Sequence, residues 1–522
     1  MSQLNNYNEF NFALVPLTLL ILVILCYKFI LSSFSNGAPS LPPGPYSLPI
    51  VGYLPFLGPD LHKQFTNMAH TYGPIFKFYV GSKLHVVINT PDLAKVVVRD
   101  QDEIFANHNL TVAASIITYG GQDIAWAQNN SHWRNLRKIF VHEVLSNKNL
   151  EACSPFRRDE VRKTIKNVYG KIGTKVNISE ISFTTEANVL TNMVWENSSN
   201  KGAKDGHLGV ELQMVVSKIV ELLGKPNASD FFPSLAWFDL QGVAHDMKKQ
   251  LKKMDKILES IIDDRIKSNN KRLEDGVWHE PKKDFLQILL EFKDREDATS
   301  LNFIQIKALL QDIMVAGTET TTTMIEWAMA EIINNHNVMK KVHEELEQVV
   351  GVNNIVEESH LPKLKYLDAT IKETSRLHPV APLLVPRSPS KTCNIGGYTI
   401  LKGCNVFVNV WSIQRDPRYW DNPLEFNPER FLTNYKGTNH WDYNGNNLKF
   451  FPFGSGRRLC PGLPLGEKML MYVLASLLHS FNWSLPMGEE RDLSEKFGIT
   501  LKKRNPLVAI PSQRLPDVSF YM

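Results

Sequence analysis

One cysteine in this sequence sits where a metal could reach it. The stretch Phe451-Pro452-Phe453-Gly454-Ser455-Gly456-Arg457-Arg458-Leu459-Cys460-Pro461-Gly462 puts Cys460 in a loop rich in glycine and proline, just ahead of an apolar run, Leu463 to Leu478, that reads as a helix. Glycines let a backbone turn tightly and approach another body closely. The positive end of a helix dipole favours thiolate over thiol, and a thiolate is a good ligand for iron. A lone cysteine beside glycine is equally a structural residue in a turn. A second stretch, Ala316-Gly317-Thr318-Glu319-Thr320-Thr321, lies at the centre of the longest helical pattern, Ile304 to Asn334. Its glycine and the run Thr320 to Thr323 are poor helix material, and threonine hydroxyls can bond back to carbonyls and bend a helix. Either Gly317 serves packing in a buried helix, or a groove opens there. In a groove, the Glu319 acid, the Thr320 hydroxyl and trapped water could relay protons to dioxygen before its O–O bond breaks.

Two arginine patterns stand beside these. Trp133 and Arg137 are spaced i, i+4 and share a helix face. They form a surface cation–π pair or present N–H donors to an anion. Glu373 and Arg376, spaced i, i+3 on a helix from Tyr366 to Leu377, have a second arginine available at Arg430. Exposed, such a pair is worth little; buried, losing one partner strands a charge at a cost of roughly 3–5 kcal/mol.

The elements that must position these groups follow from pattern. Phe76 to Val80 and His85 to Asn89 read as a hairpin around Gly81-Ser82. Asp92 to Arg99 reads as a helix. Asn107 to Asn130 loses periodicity and reads as a long loop. Val161 to Lys283 is mainly amphipathic helix, with polar breaks at Asn197–Gly206, Gly224–Asp230 and Ser268–Glu280. Prolines hold Pro379 to Arg387 extended. Gly397 to Thr399 and Val406 to Asn409 read as short strands, and Phe497 to Thr500 as a turn.

Composition narrows the classes. The 522 residues, 43% hydrophobic, are ample for a large core. A net charge of +4 is too mild for a nucleic-acid binder. The 5 cysteines, Cys26, Cys153, Cys393, Cys404 and Cys460, form no CxxC pair, which disfavours zinc sites and a disulfide framework and fits a reducing compartment. Phe12 to Leu31 is nearly continuously apolar, and about 20 such residues span a bilayer. No Lys or Arg precedes the run and no small-residue cleavage site follows it, which disfavours a cleaved signal. Lys28 puts the C-terminal side in the cytosol. The chain therefore divides into a luminal N-terminus (1–11), a transmembrane anchor (12–31), a linker and proline-rich hinge (32–45) containing Leu41-Pro42-Pro43-Gly44-Pro45, and a body (46–522).

Taken together, Phe453, Gly456, Arg458, Cys460 and Gly462 resemble the haem-binding loop of the cytochrome P450 family, and the remaining motifs follow in that family's order. The likeness is greatest to plant microsomal members, in a group that includes sesquiterpene hydroxylases; Leu54-Pro55-Phe56-Leu57 and Gly224-Lys225-Pro226-Asn227 support it. The resemblance implies a mainly α fold with small β-sheets, the cytochrome P450 fold, preceded by one transmembrane helix in the endoplasmic reticulum membrane. It implies haem b as cofactor, with the Cys460 thiolate on iron pushing electron density that favours O–O cleavage. Trp133, Arg137, Arg387, Phe453 and Arg458 would bind the haem, Glu319 would be the acid and Thr320 the alcohol, and Glu373, Arg376 and Arg430 would form a buried structural triad. Ala316, Val380, Ala381, Leu383, Leu384 and Ile499 would line the pocket; all are apolar, which suits a lipophilic terpenoid, in particular a sesquiterpenoid. The chain has no flavin or nicotinamide motif, so electrons must come from NADPH–cytochrome P450 reductase, with O2 as co-substrate. Lys138, Lys148, Arg457 and Lys468 are either its docking face or plain solvated charges. A flavonoid or alkaloid hydroxylase, a haem-thiolate dehydratase or rearrangement catalyst, and a haem sensor or carrier are the competing readings.

Overall fold

Apolar residues recur at helical spacing along most of the chain, and helices dominate the computed structural model. It describes Val23 and residues 40–195, 205–274, 284–297, 299–432, 441–489 and 491–522, with the backbone alone for 205–210 and 272–274. The main helices are α1 (Leu61–Tyr72), α2 (Ser131–Ile139), α3 (Ile178–Val194), α4 (Asp205–Gly224), α5 (Val243–Glu274), α6 (Phe303–Asn334), α7 (Lys365–Leu377) and α8 (Leu463–Ser480). α6 is the axis of the core and packs on α3, α8, α7 and α4. From Thr321 to Asn334 every residue of α6 is buried, as expected of a helix apolar on all sides. Asn302 caps its start: the side chain accepts from the Gln305 amide at 2.9 Å, and the Gln305 side chain accepts from the Asn302 amide at 2.9 Å.

The sheets are small. β1 (Ile75–Val80) and β2 (Lys83–Ile88) form an antiparallel hairpin, and β3 (Asn405–Val408) adds to β2 in parallel, from His85 opposite Asn405 to Ile88 opposite Val408. Near the C-terminus, β4 (Glu495–Lys496) pairs with β5 (Lys502–Lys503) around the turn that contains Ile499.

Four expectations change. Pro379 to Arg387 is not extended throughout: Pro382 sits in a turn in which the Leu384 amide donates to Ala381 O at 3.1 Å and Leu384 takes φ +53°. The stretch from Asn107 to Asn130 contains a helix, Val112–Ile117, because a short apolar run follows Thr111, whose hydroxyl accepts from the Ala114 amide. α5 runs on to Glu274, past the break expected at Ser268. Its polar residues are used there: Arg265 holds Asp284 and Asn269 bonds Gln287. The glycine pair Gly396-Gly397 is a turn, not a strand start; the strands are Cys393–Ile395 and Tyr398–Ile400. Apart from Val23, residues 1–11, the anchor at 12–31 and the linker to residue 39 lie outside the described residues. Among those described, no helix is long and apolar enough to cross a membrane.

Candidate active site

The Cys460 loop is pinned at both ends. The Phe451 amide donates to Gln414 Oε1 at 3.3 Å, and the Cys460 amide donates to Phe453 O at 3.0 Å. Gly456 has φ +69°, and a β-carbon there would lie 1.9 Å from Val98 O, so the loop can lie against Val98 only with glycine. α8 starts at Leu463, just past the cysteine. Cys460 lies deep in the protein yet keeps part of its own surface accessible. Burial raises its thiol pKa, while amide hydrogen bonds from Gly462 and Leu463 and the Arg137 charge pull it down. The dipole effect anticipated from the sequence is present, but burial outweighs it.

Three arginines gather around this loop. Arg137 Nη2 donates to Leu459 O. Arg387 is buried; its Nη2 donates to Ser455 O at 3.0 Å, and its buried Nη1 has no hydrogen-bond partner. Arg458 donates to Ala106 O at 2.7 Å, to Ile124 O at 3.0 Å and to Ala127 O, and its guanidinium lies 4.1 Å from the centre of the Trp133 ring. Trp133 is 2% exposed; the Arg137 guanidinium lies 5.7 Å from its ring centre, so the cation–π pair exists but is not a surface one, and the indole N–H donates to Ile124 O at 2.9 Å. These guanidinium groups bond carbonyls, not carboxylates. Burial first, then Arg387, lowers Arg458 to about 9, and burial lowers Arg387 to about 10. Burial, reinforced by the Arg458 charge, lowers the nearby His108 to about 3. A largely buried set of guanidiniums without bonded carboxylates and with one orphaned N–H, beside a thiol at a helix start, is the donor chemistry that a porphyrin iron with acidic side arms requires. The residues fit haem. Phe453 packs edge-on to Tyr443 in the aromatic cluster beneath the loop.

Glu373, Arg376 and Arg430 come together, all 4% exposed or less. Arg376 bonds both Glu373 oxygens, at 2.7 and 2.8 Å, and Arg430 Nε bonds Oε1 at 3.0 Å. The remaining guanidinium donors meet carbonyls of Gln414, Asp421, Asn422, Pro423 and Glu425. Gln414 joins this triad to the cysteine loop: its amide donates to Ser375 O and Arg376 O while its oxygen takes the Phe451 N–H. No sequence motif marked Gln414.

On α6, Ala316 and Thr320 form an exposed stripe in an otherwise buried stretch, whereas Glu319 is buried. Thr320 Oγ1 donates to Ala316 O at 2.6 Å, the back-bond expected of threonine. A β-carbon on Gly317 would come within 2.7 Å of Leu190 Cδ1 on α3, so the glycine also serves packing. Adjacent residues on a helix point about 100° apart, and the Glu319 carboxylate turns away from Thr320 to form an ion pair with Lys502 on β5. Lys502 had no place in the sequence reading; the only hint was a lysine pair just after the turn. Val380 and Ile499 are partly buried against the main core, Ala381 is half-buried, and Leu384 adopts a left-handed φ of +53°. Leu383 instead packs among Phe65, Phe76 and Val87 in the cluster beside the sheet.

Comparison with known proteins matches this arrangement. The profile of the family described as Cytochrome P450 covers residues 42–510. Cytochrome P450 76C1 of Arabidopsis thaliana is 37% identical, over 95% of this chain and 98% of its own length. Flavonoid 3',5'-hydroxylase of Campanula medium is 36% identical over 96% of each chain, and 3,9-dihydroxypterocarpan 6A-monooxygenase of Glycine max is 38% identical over 91% of this chain and 94% of its own. A zebra fish cytochrome P450 solved with abiraterone superposes with a TM-score of 0.71 at 26% identity, covering 87% of this chain and all of that one.

Proposed function

This chain belongs to the cytochrome P450 family, a haem-thiolate monooxygenase of plant specialised metabolism, and from that premise we propose that it hydroxylates a lipophilic terpenoid, in particular a sesquiterpenoid. When bound, haem supplies the activation of dioxygen and the transfer of one oxygen atom to a C–H bond. The chain's own part is to hold the cofactor, orient the substrate and move protons. Cys460 is the iron ligand. Arg387, Arg458 and Arg137 would hold the propionates; Trp133, whose indole N–H is taken by Ile124 O, would act through the Arg458 guanidinium stacked on its ring, and Phe453 would support the loop from below. Thr320 presents a hydroxyl on the exposed stripe of α6, and Glu319 is the acid that restores its proton. Glu373, Arg376 and Arg430 carry no chemistry; they fix the ground on which the loop stands. Ala316, Val380, Ala381, Leu384 and Ile499 offer apolar contact and few orienting groups, which suits a hydrocarbon skeleton.

The observation that carries the haem-monooxygenase part of this reading is the conjunction of a deep, partly accessible Cys460 with a largely buried set of arginines hydrogen-bonded only to carbonyls; the terpenoid part rests on the apolar lining. A flavonoid is the second reading, favoured by the flavonoid hydroxylases among the relatives. Electrons come from NADPH–cytochrome P450 reductase. Lys138 and Lys148 are exposed for docking, while Arg457 and Lys468 are engaged with Asp102 and Glu358. Residues 12–31 anchor the body on the cytosolic face of the endoplasmic reticulum.

The test is reconstitution of the full chain with haem, reductase and NADPH on a panel of sesquiterpenes, flavones and indole alkaloids. Hydroxylated sesquiterpene is the expected product; turnover of flavones alone would replace it with the second reading. The reduced, CO-bound spectrum checks Cys460 separately, and a Cys460→Ala protein that keeps the thiolate-type band would remove that residue from the iron.

A further inference from the structure

The Glu319 carboxylate is held from outside its own helix. Its ion-pair partner, Lys502, lies three residues beyond Ile499 on β5. The segment carrying both is strapped to α6 on either side of the pair: the Trp327 indole donates to Leu501 O at 3.0 Å, and the Leu507 amide donates to Glu326 Oε1 at 2.8 Å. It is also tied to the pocket wall, because the Leu501 amide donates to Val380 O at 2.8 Å. The turn that presents Ile499, the wall that presents Val380 and the acid on α6 thus form one hydrogen-bonded unit.

The neighbouring charges are otherwise engaged. Lys503 bonds Asp492 O and lies 5.4 Å from the Trp327 ring, with Glu326 and Glu331 nearby. On β4, Glu495 is taken by Lys63, His62, His378 and Arg415. Lys502 is therefore the cation available to Glu319.

We infer that Lys502 is a positioning residue for the Glu319 acid, tying its carboxylate to the turn and wall that touch the substrate. A carboxylate paired with an ammonium group has no proton to give, so Glu319 delivers one only after leaving Lys502 and collecting it from water. The pair sets where that excursion begins. Without Lys502, a buried acid loses its counter-charge, and it either stays protonated or adopts another direction. The electrons and protons then end in the wrong product. Productive turnover gives hydroxylated substrate and water; the leak gives hydrogen peroxide from the same dioxygen, electrons and protons. This inference rests on the relay reading of Glu319 and Thr320 given above.

The test uses the haem-loaded full chain with reductase and NADPH, on the panel substrate that gives most product. Lys502→Met, with Lys502→Gln as a second variant should the first fold poorly, is expected to lower product per NADPH about tenfold, the effect of a modest misplacement of a working group. Peroxide should rise to match while KM holds, and Lys502→Arg should recover most of the coupling. Unchanged coupling in Lys502→Met, or an arginine variant as poor as the methionine one, overturns the inference. Glu319→Gln separates it from the reading beneath. If that variant couples like the natural chain, the relay itself falls. If it does not, Lys502→Met added to it should cost nothing more, and a further loss would show that Lys502 acts elsewhere. Thermal unfolding of the natural chain, Lys502→Met, Glu319→Gln and the double variant without turnover gives an independent check: additive changes in Tm would mean that no ion pair exists.

Discussion

Arg376 and Arg430 share the Glu373 carboxylate, whereas Arg137, Arg387 and Arg458 share only carbonyl oxygens. Both groups are largely buried and both flank the cysteine loop. In the first, a shared carboxylate offsets one of the two positive charges and nearly every donor is spent. In the second, burial depresses all three guanidinium pKa values and one N–H is left over. The first is a finished structure. The second is a receptor: Asp123 and Asp102 oppose its charge without bonding its guanidiniums, and an anion would take the donor left over. Buried positive charge without a counter-ion is costly, and a protein keeps it only where a ligand offsets the cost.

The largest effect should come from Glu373→Ala, which strands two buried guanidiniums. A loss of roughly 3–5 kcal/mol is expected with or without haem, read as a lower unfolding midpoint in both states; an equal loss from the second group would erase the distinction. Arg387→Met should behave oppositely. The apoprotein should lose only the bond to Ser455, about 1 kcal/mol, while haem retention falls roughly tenfold or more, since hydrogen bonds to charged groups are worth about 1.5–3 kcal/mol; an absorbance titration measures it. Gln414→Leu cuts the link between the two regions and leaves the Ser375 and Arg376 carbonyls short of a donor. It should destabilise by about 1–3 kcal/mol and loosen the loop, visible as faster haem loss. At neutral pH the smallest effect belongs to His108, whose titration matters only in acid. Burial and the Arg458 charge lower it from 6.5 to about 3. The unfolded chain then binds more proton between those values, so this contribution is complete above pH 6.5 and is lost as pH falls toward 3. His108→Gln should flatten the stability profile across that window, and an unchanged slope would detach His108 from the arginine cluster.

The sequence announced the parts whose logic is local. The length of α6 is legible from its apolar period, and the i, i+3 spacing of Glu373 and Arg376 places them on one turn of α7. What it hid depends on partners far along the chain. Gln414 reaches Phe451 across 37 positions and Lys502 reaches Glu319 across 183, while Arg430, 57 positions from Glu373, is placed beside it only by the family resemblance. No period records such meetings. The helix at Val112–Ile117 was missed for another reason. It is short, and its stability comes from a threonine cap and from packing on α5, not from propensity.

The parallel pairing of β2 with β3 joins residues 320 positions apart. While a ribosome is still adding the stretch beyond residue 400, β2 has its hairpin partner on one side and a bare row of amides and carbonyls on the other, the arrangement that invites pairing with a foreign strand. Contacts so distant close late. The nascent chain must therefore be shielded for most of its synthesis, and pulse proteolysis of chains stalled before β3 has left the ribosome and after it has done so should show protection of the hairpin appearing only in the longer one.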